Sequence, residues 1–182
     1  MTKNQWLNRM YKEAKQAARR YDVPVSLLLA QAALETGWGK SQLFQKYNNI
    51  SGMKIGSGRG EWSGRSVNMQ TGEYIGGQYT MIPDNFRVYD SVKQAFNDMA
   101  HRHTQRARLY LKDLPIFEAI RKVAGSGYAT APNYAATLQK IVEDNNLTTF
   151  DKKLKTERTF ANISLLFGSI IIGHAIYKQV FK

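Results

Sequence analysis

Between Val25 and Glu35 the chain reads VSLLLAQAALE, apolar on nearly every side. A helix of that composition has no face to offer to water, so it belongs at the centre of whatever surrounds it. Asp22-Val-Pro24 marks its start, with Asp22 as the expected cap and Pro24 in the first turn; Gly37 and Gly39 mark its end. The rest of the fold must wrap this helix. A chain of 182 residues suffices for one domain with a real core rather than two.

The wrapping elements are legible from spacing. Trp6, Met10, Ala14 and Ala17 recur at helical intervals, so Met1–Asp22 is expected to be an amphipathic helix of the domain. Its lysines and arginines and its lack of an apolar core set it apart from a signal peptide. Residues 52–77 hold eight of the 14 glycines. Within and beyond them, Glu73-Tyr-Ile75 and Gln78–Ile82 flank Gly76-Gly77, which predicts a two-residue hairpin. A second long helix is expected over 91–111, with Val92, Phe96, Met99, His103 and Tyr110 on one face. Pro115 opens another that Gly125 ends, and 133–145 forms the last, with Tyr134, Leu138 and Ile141 inward. The expected class over residues 1–150 is α+β, mostly helical with one small β-hairpin sheet.

The C-terminal part has a different character. Residues 151–159, DKKLKTERT, are expected to be a polar basic linker. From Phe160 to Tyr177 run 18 residues without an acid, lysine or arginine. As a helix they would span about 27 Å, against the ~30 Å of a bilayer core. We expect a single C-terminal transmembrane anchor over 160–181; the alternative is a buried or interfacial helix. Lys152, Lys153, Lys155 and Arg158 precede it, and Lys178 and Lys182 follow. This distribution is expected to keep the large domain on the cytoplasmic side of the membrane, or on an equivalent face. Ser164/Gly168 and Ser169/Gly173 supply small-residue spacing for self-association in the membrane.

Charge and composition narrow the partners. The net charge of +12 points to an anionic partner. No nucleic-acid-binding module is recognisable, so nucleic acid is not the expected one. The absence of cysteine excludes disulfide scaffolds, thiol chemistry and zinc–thiolate sites. His101 and His103 lie two positions apart, a spacing that does not share a helix face, so no metal and no cofactor are expected.

Glu35 is the candidate for chemistry. It is the sole acid between Asp22 and Glu61, and it ends the apolar helix. Desolvation there would raise its pKa and keep it protonated, as a glycosidase acid requires. The alternative is a helix-terminal carboxylate turned to solvent. Glu73 on the hairpin is the candidate second carboxylate, with Glu61 of GRGEW as its competitor. Trp38, Tyr47, Trp62, Tyr74, Tyr110 and Tyr128 sit near glycines or element ends, where they could line a sugar groove.

Five segments in order then carry a resemblance. They are AQAALETGWGKS (30–41), YNNISGMKI (47–55), TGEYIGGQYTMIPDNFRVYDS (71–91), ARLY (107–110) and GYATAPNYAATL (127–138). Together they resemble the catalytic domain of glycoside hydrolase family 73, over roughly residues 5–148. The resemblance implies a lysozyme-like fold and cleavage of the β-1,4 bond after N-acetylglucosamine in peptidoglycan. It places the general acid on Glu35, the second carboxylate on Glu73 and an active-site tyrosine on Tyr128. Trp38, Asn49, Tyr74 and Tyr110 are the expected substrate-binding residues. Two departures from the family pattern are Ser51, where Phe is usual, and Ala131, where Asp is usual. The expected function is a membrane-anchored peptidoglycan hydrolase. A cytoplasmic domain acting on the wall fits a phage lysis enzyme or a virion protein that opens the wall during infection. The rival is a catalytically silent wall-binding or structural membrane protein of a virion.

Overall fold

The computed structural model describes residues 1–57, 60–129, 131–161 and 163, with the backbone alone at Ser57, Glu73, Tyr74, Ile75 and Arg106. Its elements are α1 (Lys3–Tyr21), α2 (Val25–Thr36), α3 (Gln42–Tyr47), β1 (Ser66–Ile75), β2 (Gln78–Arg87), α4 (Val92–His101), α5 (Ile116–Gly125) and α6 (Tyr134–Asp144). A further helix, α7, covers residues 148–161. The α+β, mostly helical architecture with one two-stranded sheet matches the expectation.

Helix α2 is the hub. Val25, Leu27, Leu28, Leu29, Ala30 and Ala32 have no solvent exposure, and α1, α4, α5 and α6 pack around them. Helix α1 presents the expected stripe, with Trp6, Met10, Ala14 and Ala17 buried. Its first turn is closed by a capping box: Thr2 Oγ1 accepts from the Gln5 amide, and the Thr2 amide donates to Gln5 Oε1.

The caps of α2 differ from the sequence expectation. Asp22 sits in the left-handed region (φ 49°) as the C-cap of α1, not the N-cap of α2. The Ser26 amide of α2 instead donates to Asp151 Oδ1 at 3.1 Å, from 125 positions away. Burial, the larger influence, raises the Asp151 carboxyl, and the bonds from α2 oppose that rise.

Asp151 belongs to the stretch expected to be a linker, and that expectation is corrected. Residues 151–159 are helical. Glu157 accepts from Tyr11 Oη at 3.0 Å and from Lys15 and Arg19 at 3.1 Å each. Burial alone would raise the Glu157 carboxyl, but these donors together outweigh it and hold it low. The segment is therefore bound to α1 and α2 rather than hanging between domains. The apolar run that follows, and with it the expected anchor and its small-residue spacing, lies outside the described residues except for Phe160, Ala161 and Ile163. Among the described residues no helix is long and apolar enough to cross a membrane.

The hairpin is longer than its sequence signal. Ser66 pairs with Arg87 at the base and Ile75 with Gln78 at the tip. Gly76 and Gly77 turn the chain with φ of 59° and 83°, the doubly positive pattern of a type I′ turn. The base of this ribbon is bolted to α4 by a buried ion pair. Arg87 Nη1 lies 2.8 Å from Asp98 Oδ2, and Tyr89 Oη donates to the same oxygen at 2.5 Å. A Cβ at Gly60 would fall on the Asp98 carboxylate, so only glycine lets the loop cross there.

Helix α4 is shorter than expected. It stops at His101, one π-helical turn covers Arg102–Arg106, and Arg108 takes a left-handed φ of 53°. Tyr110, expected to share one face of a helix reaching 111 with Val92, Phe96 and Met99, lies beyond the helix and is 67% exposed.

Candidate active site

A cleft of about 580 Å³ opens between the end of α2, the 51–54 loop, the π turn and the residues leading into α6. Glu35, Ser51, Lys54, Arg102, Tyr128 and Tyr134 line it. A larger concavity of about 770 Å³ lies elsewhere, between the end of α1, residues 112–116 and α7. Its one acid with a raised pKa, Asp151, is already committed to capping α2. The smaller cleft is the one that holds an acid with a displaced pKa and no bonded partner among the described residues.

That acid is Glu35. By surface area Glu35 is exposed, because the cleft is open. Protein nonetheless surrounds the carboxyl on the remaining sides, and desolvation raises it to about 7. Surface contact and desolvation measure different things here. A charge in a cleft is penalised by the protein mass around it, even where some water reaches it.

Around Glu35 stand two tyrosines and a buried polar pair. The Tyr128 hydroxyl is buried and has no hydrogen-bond partner among the described residues. Burial first, then Tyr134 and Glu35, push its pKa well above the ordinary value. The Arg102 guanidinium lies 5.4 Å from the Tyr128 ring centre, and its Nη1 is 3.4 Å from Met53 Sδ. Beneath the cleft, Gln31 Nε2 donates to Tyr134 Oη at 3.0 Å, and Gln31 Oε1 lies 2.9 Å from His103 Nε2. Gln31 and His103 have no solvent exposure. Burial, helped by Arg102, drives His103 down to about 3, so the ring is neutral.

The sequence-predicted residues divide between this cleft and other parts of the fold. Glu35 and Tyr128 share the cleft, and so do both departures from the family pattern, Ser51 and Ala131. Glu73 and Tyr74 are placed by register alone, opposite Thr80 and Tyr79, and their side chains lie outside the described ones. Trp38 does not line the cleft. It meets Trp6 edge-on at 5.7 Å, with Lys3 Nζ 4.5 Å from its ring centre.

Asn49 is also corrected. It is 1% exposed, and its amide bonds the carbonyls of Met53 and Arg87 and the amides of Ser51 and Met53. Those bonds shape the loop instead of leaving a group for substrate. Tyr110 stands with Tyr21, Thr104 and Arg108 in a separate hollow. Glu61 is held away by Arg20 and by Tyr21 Oη at 2.7 Å. Its bond and charge follow burial in lifting the Tyr21 hydroxyl to about 12.

The chain has recognisable relatives among known proteins. The family model described as mannosyl-glycoprotein endo-beta-N-acetylglucosaminidase matches residues 11–147. The chain belongs to the glucosaminidase family, glycoside hydrolase family 73. Among relatives, a probable N-acetylmuramidase of Lactococcus lactis is 34% identical over 147 residues, covering 76% of this chain and 32% of its own length. Exo-glucosaminidase LytG of Bacillus subtilis is 34% identical over 140 residues, covering 73% and 48%. The chain thus spans about a third of the length of the first curated relatives it matches. The catalytic domain of the autolysin Auto from Listeria monocytogenes superposes with a TM-score of 0.69 at 28% identity, over 81% of this chain and 86% of that one.

Sequence reasoning missed Gln31, His103 and Tyr134 as a group within this glucosaminidase fold. A signal was present. Gln31 is the one polar residue in the middle of VSLLLAQAALE, one helical turn before Glu35. His103 is fully buried because the π turn carries it under Tyr128, with ring centres 5.0 Å apart.

Proposed function

We propose that the chain is a peptidoglycan hydrolase that cleaves the β-1,4 bond after N-acetylglucosamine, with Glu35 as the general acid. The observation that carries the reading is the Glu35 carboxyl, raised to about 7 in an open cleft of a glucosaminidase-family chain. Such an acid keeps its proton near neutral pH and can deliver it to the departing glycosidic oxygen. Glu73 is the second carboxylate in this reading, carried on the ribbon three positions before Gly76. It activates water, or the substrate's own acetamido group takes the attacking role. Tyr128 offers its hydroxyl, which has no partner among the described residues, to the sugar, and Tyr74 is a further substrate-binding residue in this reading. No metal or cofactor enters the scheme.

The proposal extends to location. Residues 160–181 hold the domain at the host inner membrane or a virion membrane as a single-pass anchor. The flanking lysines favour the cytoplasmic side for the domain. From there it meets the wall in phage lysis, or when a virion opens the wall during infection.

Mass spectrometry of digested wall fragments tests the bond. New reducing ends on N-acetylglucosamine are expected. Ends on N-acetylmuramic acid would assign the other glycosidic bond, and no new ends from folded protein would defeat the hydrolase reading. The net charge of +12 also predicts that wall binding weakens as salt rises. A sedimentation assay with a salt-independent bound fraction would contradict that electrostatic contribution.

A further inference from the structure

Gln31 and Glu35 are one turn apart on α2, so they lie on the same face, the first buried and the second at the cleft. Tyr134, at the start of α6, lines the cleft with Glu35 and reaches down to Gln31. His103, Gln31 and Tyr134 form a chain of 2.9 and 3.0 Å contacts that ends at the Tyr134 hydroxyl, in the lining of the cleft that also holds Glu35. We infer that His103 and Gln31 are positioning residues that turn the Tyr134 hydroxyl proton toward Glu35, where it stabilises the carboxylate left after proton donation. The inference rests on the reading of Glu35 as the acid.

Hydrogen-bond direction is the argument. A neutral imidazole has one N–H, and a carbonyl oxygen only accepts. Gln31 Oε1 faces His103 Nε2, so the imidazole proton is on Nε2, and Nδ1 is the bare nitrogen. Consistently, Nδ1 has no partner among the described residues. With its oxygen engaged, Gln31 presents its NH2 to Tyr134 Oη. The tyrosine oxygen therefore accepts from below, and its own proton is directed elsewhere. The cleft holding Glu35 is the open side.

Other groups around Glu35 do not duplicate this donor. Lys54 pairs with Asp84 at 2.8 Å, and Arg102 lies over the Tyr128 ring. The remaining hydroxyls of the lining, Ser51 Oγ and Tyr128 Oη, have no bond among the described residues to orient their protons.

The test reads Glu35 directly, by 13C NMR titration of its carboxyl, alongside pH–rate profiles on peptidoglycan. Tyr134→Phe removes the donor and is expected to move the Glu35 titration upward by about one pH unit. His103→Leu releases the Gln31 amide to flip and is expected to do likewise, with kcat falling about tenfold and KM little changed. His103→Gln restores a donor near the Nε2 position and is expected to return the titration toward wild type. Equal titrations in His103→Leu and His103→Gln, with only melting temperatures altered, would make the chain purely structural and overturn the inference. An unmoved titration in Tyr134→Phe would also overturn it. Because the NMR readout needs no turnover, failure of the hydrolase reading would show separately, as an inactive wild type.

Discussion

Replacing Glu35 by Gln is expected to lower kcat on peptidoglycan roughly a hundred- to ten-thousand-fold, the range carried by a positioned general acid. In the wild type the acid must hold its proton, so the rate should fall as pH rises through about 7. The residual rate of Glu35→Gln should lack that descending limb. The substitution should not lower stability. The folded chain keeps the Glu35 proton between the ordinary value of 4.5 and about 7, whereas the unfolded chain has released it. The unfolded state binds fewer protons there, so this group lowers stability as pH rises from 4.5 to 7. The amide has no such cost, and Glu35→Gln at pH 8 should melt no earlier than wild type. Release of reducing ends measures the first effect and thermal denaturation the second. Lost turnover together with a lower melting temperature would place Glu35 in the scaffold instead.

The second large effect is expected at Asp98, through stability and not through proton transfer. Its carboxylate is 1% exposed, and it neutralises an equally buried Arg87 that also stacks 4.9 Å from the Trp62 ring. Asp98→Ala leaves that guanidinium buried without its counter-charge, and it also strips the Tyr89 hydroxyl of its acceptor. Loss of one partner from a buried pair costs about 3–5 kcal/mol. For a domain of this size that is on the order of a 10 °C fall in Tm. Denaturant melts should show it as a lower midpoint with an unchanged slope. The double replacement Asp98→Leu with Arg87→Met should recover much of the loss, because an apolar pair leaves no charge stranded. A single variant that melts like wild type would mean that the pair contributes nothing to the ribbon's anchorage.

The ribbon starts at this pair. Arg87 ends β2, and its carbonyl is held by Asn49 at 2.9 Å. Asn49 therefore acts on the cleft indirectly, by shaping the 51–54 loop that forms one wall. A motif residue that reads as substrate-binding in sequence can owe its identity to a backbone it holds, since an amide in a buried loop satisfies up to four polar groups at once.

What the sequence by itself determined is local. Apolar residues on every side of Val25–Leu34 made α2 the hub, helical spacing made α1 amphipathic, and Gly76-Gly77 made the turn. Each of these follows from forces between residues a few positions apart, or from how much water a face can accept. The raised pKa of Glu35 was legible for the same reason, because the apolar helix carries its last carboxylate to the edge of the core. Tertiary structure decided the pairings across the chain. Asp151 caps α2 in place of the adjacent Asp22, Glu157 binds α7 to α1, and Arg20 with Tyr21 takes Glu61. His103 lies under the cleft because α4 ends in a π turn that its sequence does not announce. A cap, a clamp or a buried relay needs a donor and an acceptor brought together, and for residues separated by dozens of positions only packing of the whole chain brings them together.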